Sequence, residues 1–532
     1  MPVDFAPSSG PSIGVEVELE LINPDTRELV SGAQEILHDA GAAHGGHHPK
    51  AKPELLQSTI EIITGICTTA TEAHDDLAAT LEELQTHTDR HGLALMCSGT
   101  HPFTDPATQE VTPDPRYQQL ITDMQWPARQ MEIFGVHVHV GVRSPNKAIA
   151  MVNALSAYIP HFLGLSASSP YWMGHDTGMA SWRSKIFEGL PTAGPPWQLS
   201  GWPEFERLME TLIAARTISS IREVWWDIRP HPGFGTIEMR VCDGIPTLRE
   251  VSIVAALTQC LVHQFDTQLD RGYSLPVPRS WLVRENKWRA ARFGLDASII
   301  VDEQGTTVPL RTAVEELIED LTPVAARLHC SEELQATTDI LRRGPSTVRQ
   351  REIVAGGGSL SDVVDSLIRE LREDAPGAAP ASPVHRAAGV RDPRPGGDAQ
   401  ELASIALFSS LTEAERGSLG RWTDLVDMPA GTTLMEEGRV ADEFIVIVSG
   451  TAHVTRGGVH VRNLGAGDFL GEIALLADDR RRTATVITTS PVRAAVMTAN
   501  RFQDLVREVP SVATRLRQAI ESRLSADLEL DG

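Results

Sequence analysis

The chain has 532 residues, of which 41% are hydrophobic and 22% charged, and its formal net charge is −24 at pH 7. This length exceeds what one compact core holds and predicts two or three domains, while the composition excludes a globally disordered chain. The excess of negative charge repels phosphate backbones and anionic lipid. We therefore expect neither nucleic acid nor a membrane as a partner.

The N-terminal segment MPVDFAPSSGPS lacks the basic and apolar regions of a signal peptide, and no apolar run reaches the roughly 20 residues of a spanning helix. The cysteines are scattered without a CxxC pair, so we expect neither a zinc site nor a secreted disulfide framework. These features predict a cytoplasmic protein.

The N-terminal part of the chain mixes strands and helices without regular alternation, which favours an α+β fold with an antiparallel sheet. Period-two patterns predict strands at 13–22, 58–66, 135–142 and 235–242, and amphipathic patterns predict helices at 71–92, 312–328, 331–343 and 359–374. In the last of these helices we expect Ser361 as the N-cap, followed by an apolar stripe of Val364, Leu367, Ile368 and Leu371.

The chain divides at a segment rich in proline, glycine and alanine, which cannot bury an apolar face and reads as a linker. Beyond it, short strands separated by glycine turns predict a small antiparallel sandwich or barrel, closed by a helical stretch at 500–528. No helix-turn-helix pattern follows. The expected domains are therefore 1–373 and 401–532, joined by a linker at 374–400.

Three predicted strands each carry two polar residues two positions apart, and therefore on one face of the sheet. The pairs are Glu16 and Glu18, His137 and His139, and Glu238 and Arg240. Carboxylates on an apolar strand are costly to bury unless cations neutralise them, and carboxylate with imidazole suits Mg²⁺ or Mn²⁺ beside nucleotide phosphates. A solvated polar face is the alternative for any one pair, but three pairs together favour a metal site. No P-loop or Rossmann glycine motif occurs.

Five motifs between about Ile13 and Arg372 resemble, in order, the carboxylate–amine ligases related to glutamate–cysteine ligase of type 2. They are IGVEVELELI, ELLQSTIEIIT, GVHVHVGV, HDTGMASWRSKIFEGLPTAGPP and WWDIRPHPGFGTIEMRVCD. That family is similar in turn to glutamine synthetase. The resemblance implies an antiparallel-sheet, glutamine-synthetase-like catalytic domain with surrounding helices. Many relatives read GVEEEF in the first motif where this chain reads GVEVEL, a change that keeps the face carrying Glu16 and Glu18.

The resemblance also implies a two-step reaction. ATP phosphorylates a carboxylate, in this family the γ-carboxyl of glutamate, and an amine such as cysteine then displaces phosphate. One metal ion would be held by Glu16, His139 and Glu238, and another by Glu18 and Glu61. Whether His137 or His139 is the ligand stays open.

Three arginines are implied catalytic residues. Arg240 would meet the transferred phosphate, while Arg183 and Arg229 would contact phosphate or a substrate carboxylate. For the latter two a structural ion pair is the alternative.

The segment between Leu407 and Phe502 resembles an all-β, jelly-roll cyclic-nucleotide-binding domain with flanking helices, of the catabolite-regulator and protein-kinase regulatory type. The motifs are FSSLTEAERGSLG, PAGTTLMEEGRVADEFIVIVSGTAHV and GDFLGEIALLADDRRRTATV.

Within the last motif, Gly471 would let the backbone approach the ligand and Glu472 would accept a hydrogen bond from a ribose hydroxyl. Arg482 would bind the cyclic phosphate, with Thr483 adding a hydroxyl. Two alternatives stay open: Arg481 replaces Arg482, or the domain keeps the fold without a ligand. Thr483 is compatible with both cAMP and cGMP.

Together these features predict an ATP-dependent ligase whose activity is regulated by a cyclic nucleotide, with small-molecule partners only and a homo-oligomer possible. The alternatives are a catalytically silent, cyclic-nucleotide-responsive adaptor and a phosphotransferase built on the same sheet.

Overall fold

In the computed structural model the chain forms two compact units, Met1–Pro383 and Val384–Gly532. The structure describes residues 3–373, 424–435, 437–438, 443–471 and 482–498. The predicted linker at 374–400, the helices expected on either side of the sandwich, and Glu472 and Arg481 lie outside the described residues.

An antiparallel sheet organises the first unit. The strands of this unit in chain order are β1 (Ile13–Ile22), β2 (Ala51–Pro53), β3 (Thr59–Ile63), β4 (Ala94–Met96), β5 (Gly135–Gly141), β6 (Tyr171–Trp172), β7 (His175–Asp176), β8 (Ile228–His231), β9 (Thr236–Asp243), β10 (Ser298–Ile300) and β11 (Thr307–Pro309). The main sheet has seven strands in the order β2-β3-β1-β5-β9-β8, with β4 also paired to β1. The predicted α+β fold with an antiparallel sheet is confirmed.

Helices surround this sheet. They are α1 (Ala33–Ala42), α2 (Ala70–Arg90), α3 (Pro115–Met124), α4 (Trp126–Arg129), α5 (Pro145–Leu155), α6 (Ile159–Ser166), α7 (Arg183–Phe187), α8 (Trp202–Ala214), α9 (Leu248–Asp270), α10 (Ser280–Phe293), α11 (Leu310–Leu328), α12 (Ser331–Arg343), α13 (Ser346–Ala355) and α14 (Leu360–Glu373). Short 3₁₀ turns occur at Pro106–Thr108, Ser156–Tyr158, Ile221–Glu223 and Gly294–Asp296.

The central strand β1 has two chemically different faces. Val15, Val17 and Leu19 are fully buried in the main core, where α2 and α9 contact the sheet. Glu16 and Glu18 project from the opposite face, because successive side chains of a strand alternate in direction. The helices bury the apolar face, and the polar face forms the floor of a cleft.

The start of α14 differs from the sequence prediction. Ser359, not Ser361, caps this helix: its Oγ accepts the N–H of Asp362 at 3.3 Å, and its own N–H donates to the Asp362 carboxylate at 2.7 Å. This reciprocal capping box satisfies two helix-end donors, which Ser361 inside the first turn cannot do. The predicted apolar stripe is buried except for Ile368, which is half-buried.

One helical stretch among the described residues, Pro145–Ser166, has the length and apolar composition of a membrane-crossing helix. The expectation that no run reaches this length is therefore wrong. In the structure 83% of its most apolar window is buried inside the protein. Its two α-helices pack against α9, α10 and β9, which is the environment of a core helix.

The second unit contains eight described strands. They are β12 (Asp424–Met428), β13 (Thr433–Met435), β14 (Glu443–Ser449), β15 (Ala452–Arg456), β16 (Val459–Leu464), β17 (Phe469–Leu470), β18 (Thr485–Thr488) and β19 (Val492–Thr498). They form two antiparallel sheets, β12-β19-β14-β17 and β13-β18-β15-β16. Buried side chains from both sheets share one core, as in the predicted jelly-roll sandwich.

Acid should destabilise the first unit through His101. This side chain is buried, donates from Nε2 to the Arg27 carbonyl at 2.9 Å and accepts the Thr104 N–H at Nδ1 at 3.0 Å. Burial lowers the pKa of His101 to about 3. Below about pH 6.5 the unfolded chain binds a proton that the folded chain does not, so stability falls by up to ~1.4 kcal/mol per pH unit.

We therefore expect the urea midpoint to decrease between pH 6.5 and pH 4.5, and to decrease less steeply in the His101→Gln variant. Tryptophan fluorescence follows this unit, since nine of the ten tryptophans belong to it. Replacement of the exposed His175 with Gln is the control. Equal slopes for wild type and the His101 variant would contradict the prediction.

Candidate active site

The strand register brings the six predicted metal ligands onto one surface. The cross-strand pairs are Glu16 with His137, Glu18 with Glu61, and His139 with Glu238. Four strands, β3, β1, β5 and β9, therefore contribute side chains to one continuous polar patch. Strand alternation places these side chains on one face of the sheet. The β5–β9 pairing shifts register between Val136 and Val138, beside His137.

Glu16 lies at the centre of this patch. Its Oε2 is 3.2 Å from Nδ1 of His137, and its Oε1 is 3.6 Å from Nε2 of His139. Burial raises the pKa of Glu16, but its hydrogen bonds with His137 and His139 outweigh that effect and hold the pKa well below its usual range. Glu16 is therefore ionised at neutral pH.

Glu18 and Glu61 have the opposite electrostatic balance. Glu18 accepts the N–H of Gly135 at 2.5 Å, and Glu61 pairs with Lys52 at 2.8 Å. Burial raises the pKa of Glu18 to about 7, and the nearby charge of Glu54 acts in the same direction. Burial and neighbouring carboxylates also raise the pKa of Glu61 well above its usual range. The positive charge on this side of the patch does not offset the effect of burial, and a bound cation would supply more.

Glu238 is held by two arginines. Nε of Arg229 donates to Oε2 of Glu238 at 2.7 Å, and the Arg240 guanidinium donates to Oε1. Burial raises the pKa of Glu238, but these two charges hold it well below its usual range. Arg229 also donates to the carbonyls of Arg222 and Val224 at 3.1 and 3.0 Å. Both guanidinium groups are thus fixed at the edge of the cleft.

Arg183 occupies a different position from the other two predicted arginines. It is buried, it does not line the cleft, and its guanidinium donates to the Arg240 carbonyl at 3.5 Å. A Cβ at Gly135 would lie 2.3 Å from its Nη2, so a larger residue at this position would displace the Arg183 guanidinium. Burial raises the pKa values of Glu18 and Asp243, and the charge of Arg183 offsets part of that rise.

The cleft above the patch has a volume of about 670 Å³. Its floor is polar, and its apolar wall is formed by Leu55, Leu120, Met124, Met131, Ile133 and Trp225. Sequence patterns missed several polar or aromatic lining residues, namely Lys52, Glu54, Arg116, Tyr117, His231 and Phe234. Lys52 belongs to a three-residue strand, which is too short for a recognisable period, and only the β2–β3 pairing places it opposite Glu61.

The patch fits a divalent cation. Ligand atoms of Glu16, His137 and Glu238 lie within 4.8 Å of one another, and Nε2 of His137 is buried without a hydrogen-bond partner among the described residues. Burial lowers the pKa of His137 to about 4, so its imidazole is neutral. His139 is also oriented as a ligand, since its Nδ1 contacts Thr236 Oγ1 at 2.9 Å while Nε2 faces two carboxylates.

Only a small part of the predicted cyclic-nucleotide site lies among the described residues. Gly471 has φ +98°, a conformation that favours glycine. Arg482 is buried, and its carbonyl accepts the N–H of Gly438 at 2.9 Å. Thr483 is exposed, and its carbonyl accepts from Nε of Arg456 at 3.3 Å.

A family model of glutamate–cysteine ligase family 2 matches residues 12–366, about two thirds of the sequence. The chain belongs to this family. A second model, of the cyclic nucleotide-binding domain, matches residues 425–509. The chain therefore joins a family 2 ligase domain to a C-terminal cyclic nucleotide-binding domain.

Relatives within the ligase family are similar over their whole length. A candidate glutamate–cysteine ligase 2-1 of Frankia casuarinae is 57% identical over 378 residues, which are 71% of this chain and 99% of the relative. A candidate glutamate–cysteine ligase 2 of Thermobifida fusca is 54% identical over 377 residues, 71% of this chain and 94% of the relative.

Solved structures support the fold. A glutamate–cysteine ligase of Francisella tularensis in complex with AMP matches with a TM-score of 0.53 at 11% identity, over 70% of this chain and 90% of that chain. A bifunctional glutathione synthetase of Pasteurella multocida matches with a TM-score of 0.53 at 13% identity, over 69% of this chain and 52% of that chain. The ligase domain has the predicted glutamine-synthetase-like fold.

Two isosteric substitutions should change stability in opposite directions when divalent cations are removed with EDTA at pH 8. Glu61→Gln removes a charge that folding disfavours, so we expect stabilisation by roughly 1 kcal/mol. Glu238→Gln leaves Arg229 and Arg240 without their counter-charge, so we expect destabilisation by about 3 kcal/mol. Urea unfolding followed by tryptophan fluorescence measures both, and shifts of the same sign would contradict this electrostatic description.

Proposed function

We propose that the protein is an ATP-dependent ligase that joins the γ-carboxyl group of glutamate to an amine. One observation carries the proposal: six carboxylate and imidazole side chains and two arginines share one face of the sheet, and four of the six line a single cleft together with both arginines. Membership of glutamate–cysteine ligase family 2 supports the reaction class. We assign the ligase to residues 1–373 and the cyclic-nucleotide sensor to 401–532, with 374–400 as their linker.

The proposed reaction has two steps. A substrate carboxylate oxygen attacks the γ-phosphorus of ATP, which forms an acyl phosphate and releases ADP. The amine nitrogen then attacks the acyl carbon, the carbon–oxygen bond to phosphate breaks, and an amide, inorganic phosphate and a proton result. Positioning and charge neutralisation are the main catalytic requirements of such a transfer, and no protein nucleophile is needed.

The carboxylate patch would hold Mg²⁺ or Mn²⁺. We assign Glu16, Glu238 and one or both histidines to one ion, and Glu18 and Glu61 to another. Divalent cations bound there would neutralise the charge of the polyphosphate during transfer. The raised pKa values of Glu18 and Glu61 support the second assignment, because these carboxylates lack sufficient positive charge in the protein alone.

Arg240 and Arg229 would bind the transferred phosphoryl group. Each guanidinium already shares Glu238, lines the cleft and is held in a fixed orientation. A planar guanidinium forms two parallel hydrogen bonds to phosphate oxygens, which a lysine cannot do. For Arg183 we propose a positioning role, since it lies below the cleft and acts on Glu18.

Cysteine is the proposed amine because the names of the relatives include it, and the described lining of the cleft offers no feature that selects a thiol.

Regulation is the second part of the proposal. A cyclic nucleotide bound near Gly471, Arg482 and Thr483 would change ligase activity. Such coupling must appear as a change in kinetic or binding free energy, since sharing one chain is not allostery.

Turnover should require both Glu238 and an amine. With Mg-ATP and glutamate, we expect ADP release that depends on an added amine, and amide product in equal amount. Glu238→Gln should reduce kcat by at least roughly 100-fold, because both phosphate-binding guanidinium groups lose their anchor. The control is Glu319→Gln, which changes an exposed carboxylate on α11.

The products distinguish the alternatives. ADP formed with a phosphorylated acceptor and no amide would indicate a phosphotransferase. Tight Mg-ATP binding without turnover for any amine in a broad panel, cysteine included, would indicate an adaptor. Either result would overturn the ligase proposal.

Cyclic-nucleotide binding should depend on Arg482. We expect calorimetry with cAMP or cGMP to show one site on the full chain, and Arg482→Gln to weaken it roughly 10- to 100-fold by removing a charge-assisted phosphate contact. The matched control is Arg493→Gln, which changes a surface arginine that pairs with Asp427 at 2.8 Å. If neither cyclic nucleotide binds the wild type, the domain keeps the fold without a ligand. Binding with unchanged ligase kinetics would contradict regulation.

A further inference from the structure

A second cavity of about 1240 Å³ lies between α10 and the segment that precedes α8. We call it the tryptophan groove, because three partly exposed tryptophans line it: Trp197, Trp281 and Trp288, with 47%, 53% and 46% of their surface accessible. Tryptophan is the largest apolar side chain and is seldom left this exposed without a partner. Three in one cavity indicate a binding surface.

The residues of α10 are arranged to present this surface. Trp281, Arg284 and Trp288 are spaced by three and four positions, so they lie on one face of the helix with Arg284 between the two tryptophans in sequence. Val283 and Lys287, on the inner side of the same helix, are buried. The exposed face of α10 therefore carries two aromatic rings around one cation.

The opposite wall is held rigidly. The ring of Trp197 packs on the buried ring of Trp226, with centroids 5.8 Å apart, and the side-chain amide of Gln198 donates to the Pro278 carbonyl two residues before α10. These contacts tie the two walls together. A ligand would therefore enter a groove that is already formed, with little ordering cost.

The charges at the base of the groove neutralise one another. Nζ of the buried Lys287 is 2.7 Å from Asp227 and 2.8 Å from Glu188, and Nζ of Lys185 is 2.7 Å from the other oxygen of Glu188. Two ammonium groups thus face two carboxylates. The base contributes no net charge to the groove.

Arg284 is the exception. The neighbouring Glu285 pairs with Arg289 at 2.9 Å, whereas Arg284 has no ion pair or hydrogen bond within the described part of the chain. An exposed guanidinium on a helix face that also carries two indole rings attracts a planar group that carries negative charge. This residue sets the chemical class of the ligand.

We propose that the tryptophan groove is a binding site for a small aromatic anion, whose ring packs on the indoles of Trp281 and Trp288 and whose anionic group binds Arg284. This site is separate from the catalytic cleft. The residues Lys185 and Glu188 line the groove, while Phe187 and Leu190 of the same segment line the cleft.

The test uses a pair of probes on the full chain. 8-Anilinonaphthalene-1-sulfonate is an aromatic anion, and N-phenyl-1-naphthylamine has the same rings without the sulfonate. We expect the anion to bind wild type saturably. Arg284→Gln should weaken the affinity for the anion at least tenfold and change the affinity for the neutral probe less than twofold. Trp288→Ala should weaken both probes about tenfold.

Two surface variants serve as controls. Trp126→Ala removes another exposed tryptophan, on α4, and Arg342→Gln removes an exposed arginine on α12. Neither should change the affinity for either probe. Circular dichroism and unfolding midpoints check that all variants fold. We expect them to fold, because the substituted positions on α10 lie at the surface.

Three results would overturn the proposal. If Arg284→Gln left the affinity for the anion unchanged, Arg284 would not form the charge-specific contact. Displacement of the anion by Mg-ATP would place the probe in the catalytic cleft. A dimer in sedimentation velocity, dissociated by Trp288→Ala and unable to bind either probe, would show that a second copy of the chain covers this face.

Discussion

Charge neutralisation on one face of a seven-stranded sheet is the constraint on which the rest of the ligase domain depends. Carboxylates from β1, β3 and β9 are withdrawn from water, and each must find positive charge or carry a proton. At Glu238 the protein supplies that charge through two arginines, and at Glu16 hydrogen bonds with two histidines stabilise the carboxylate. At Glu18 and Glu61 it supplies too little. Charge in one half of the patch is therefore largely offset within the protein, whereas the other half keeps carboxylates that the protein's own cations do not fully offset.

This asymmetry explains the arrangement of the surrounding elements. The helices pack on the apolar face of the sheet and leave the polar face open, because closing it would bury uncompensated charge. The walls of the cleft instead come from α3 and from loops, which approach the floor from the sides. A deep cleft above a rigid sheet follows from the same electrostatics that shape the patch.

Local patterns in the sequence were sufficient for the four strands that carry the patch and for its polar pairs, since strand period and residue type are both local properties. Patterns could not tell which polar residues enter the cleft. Arg183 and Arg229 look alike in sequence, yet only Arg229 lines it. Lys52 and the tryptophan groove depend on contacts between distant segments, which period and composition do not encode. The helix cap at Ser359 was missed by two positions because two serines compete within one turn.

The alternation of β1 and β5 has a consequence for how this fold can change. The same two-residue spacing that sends Val15 and Val17 into the core sends Glu16 and Glu18 into the cleft. A single inserted or deleted residue within either strand would exchange the two faces and place carboxylates or imidazoles among the core valines. Loops at the rim of the cleft can lengthen without this effect. Changes in chain length are therefore tolerated at the rim, while folding itself constrains the length of the inner strands.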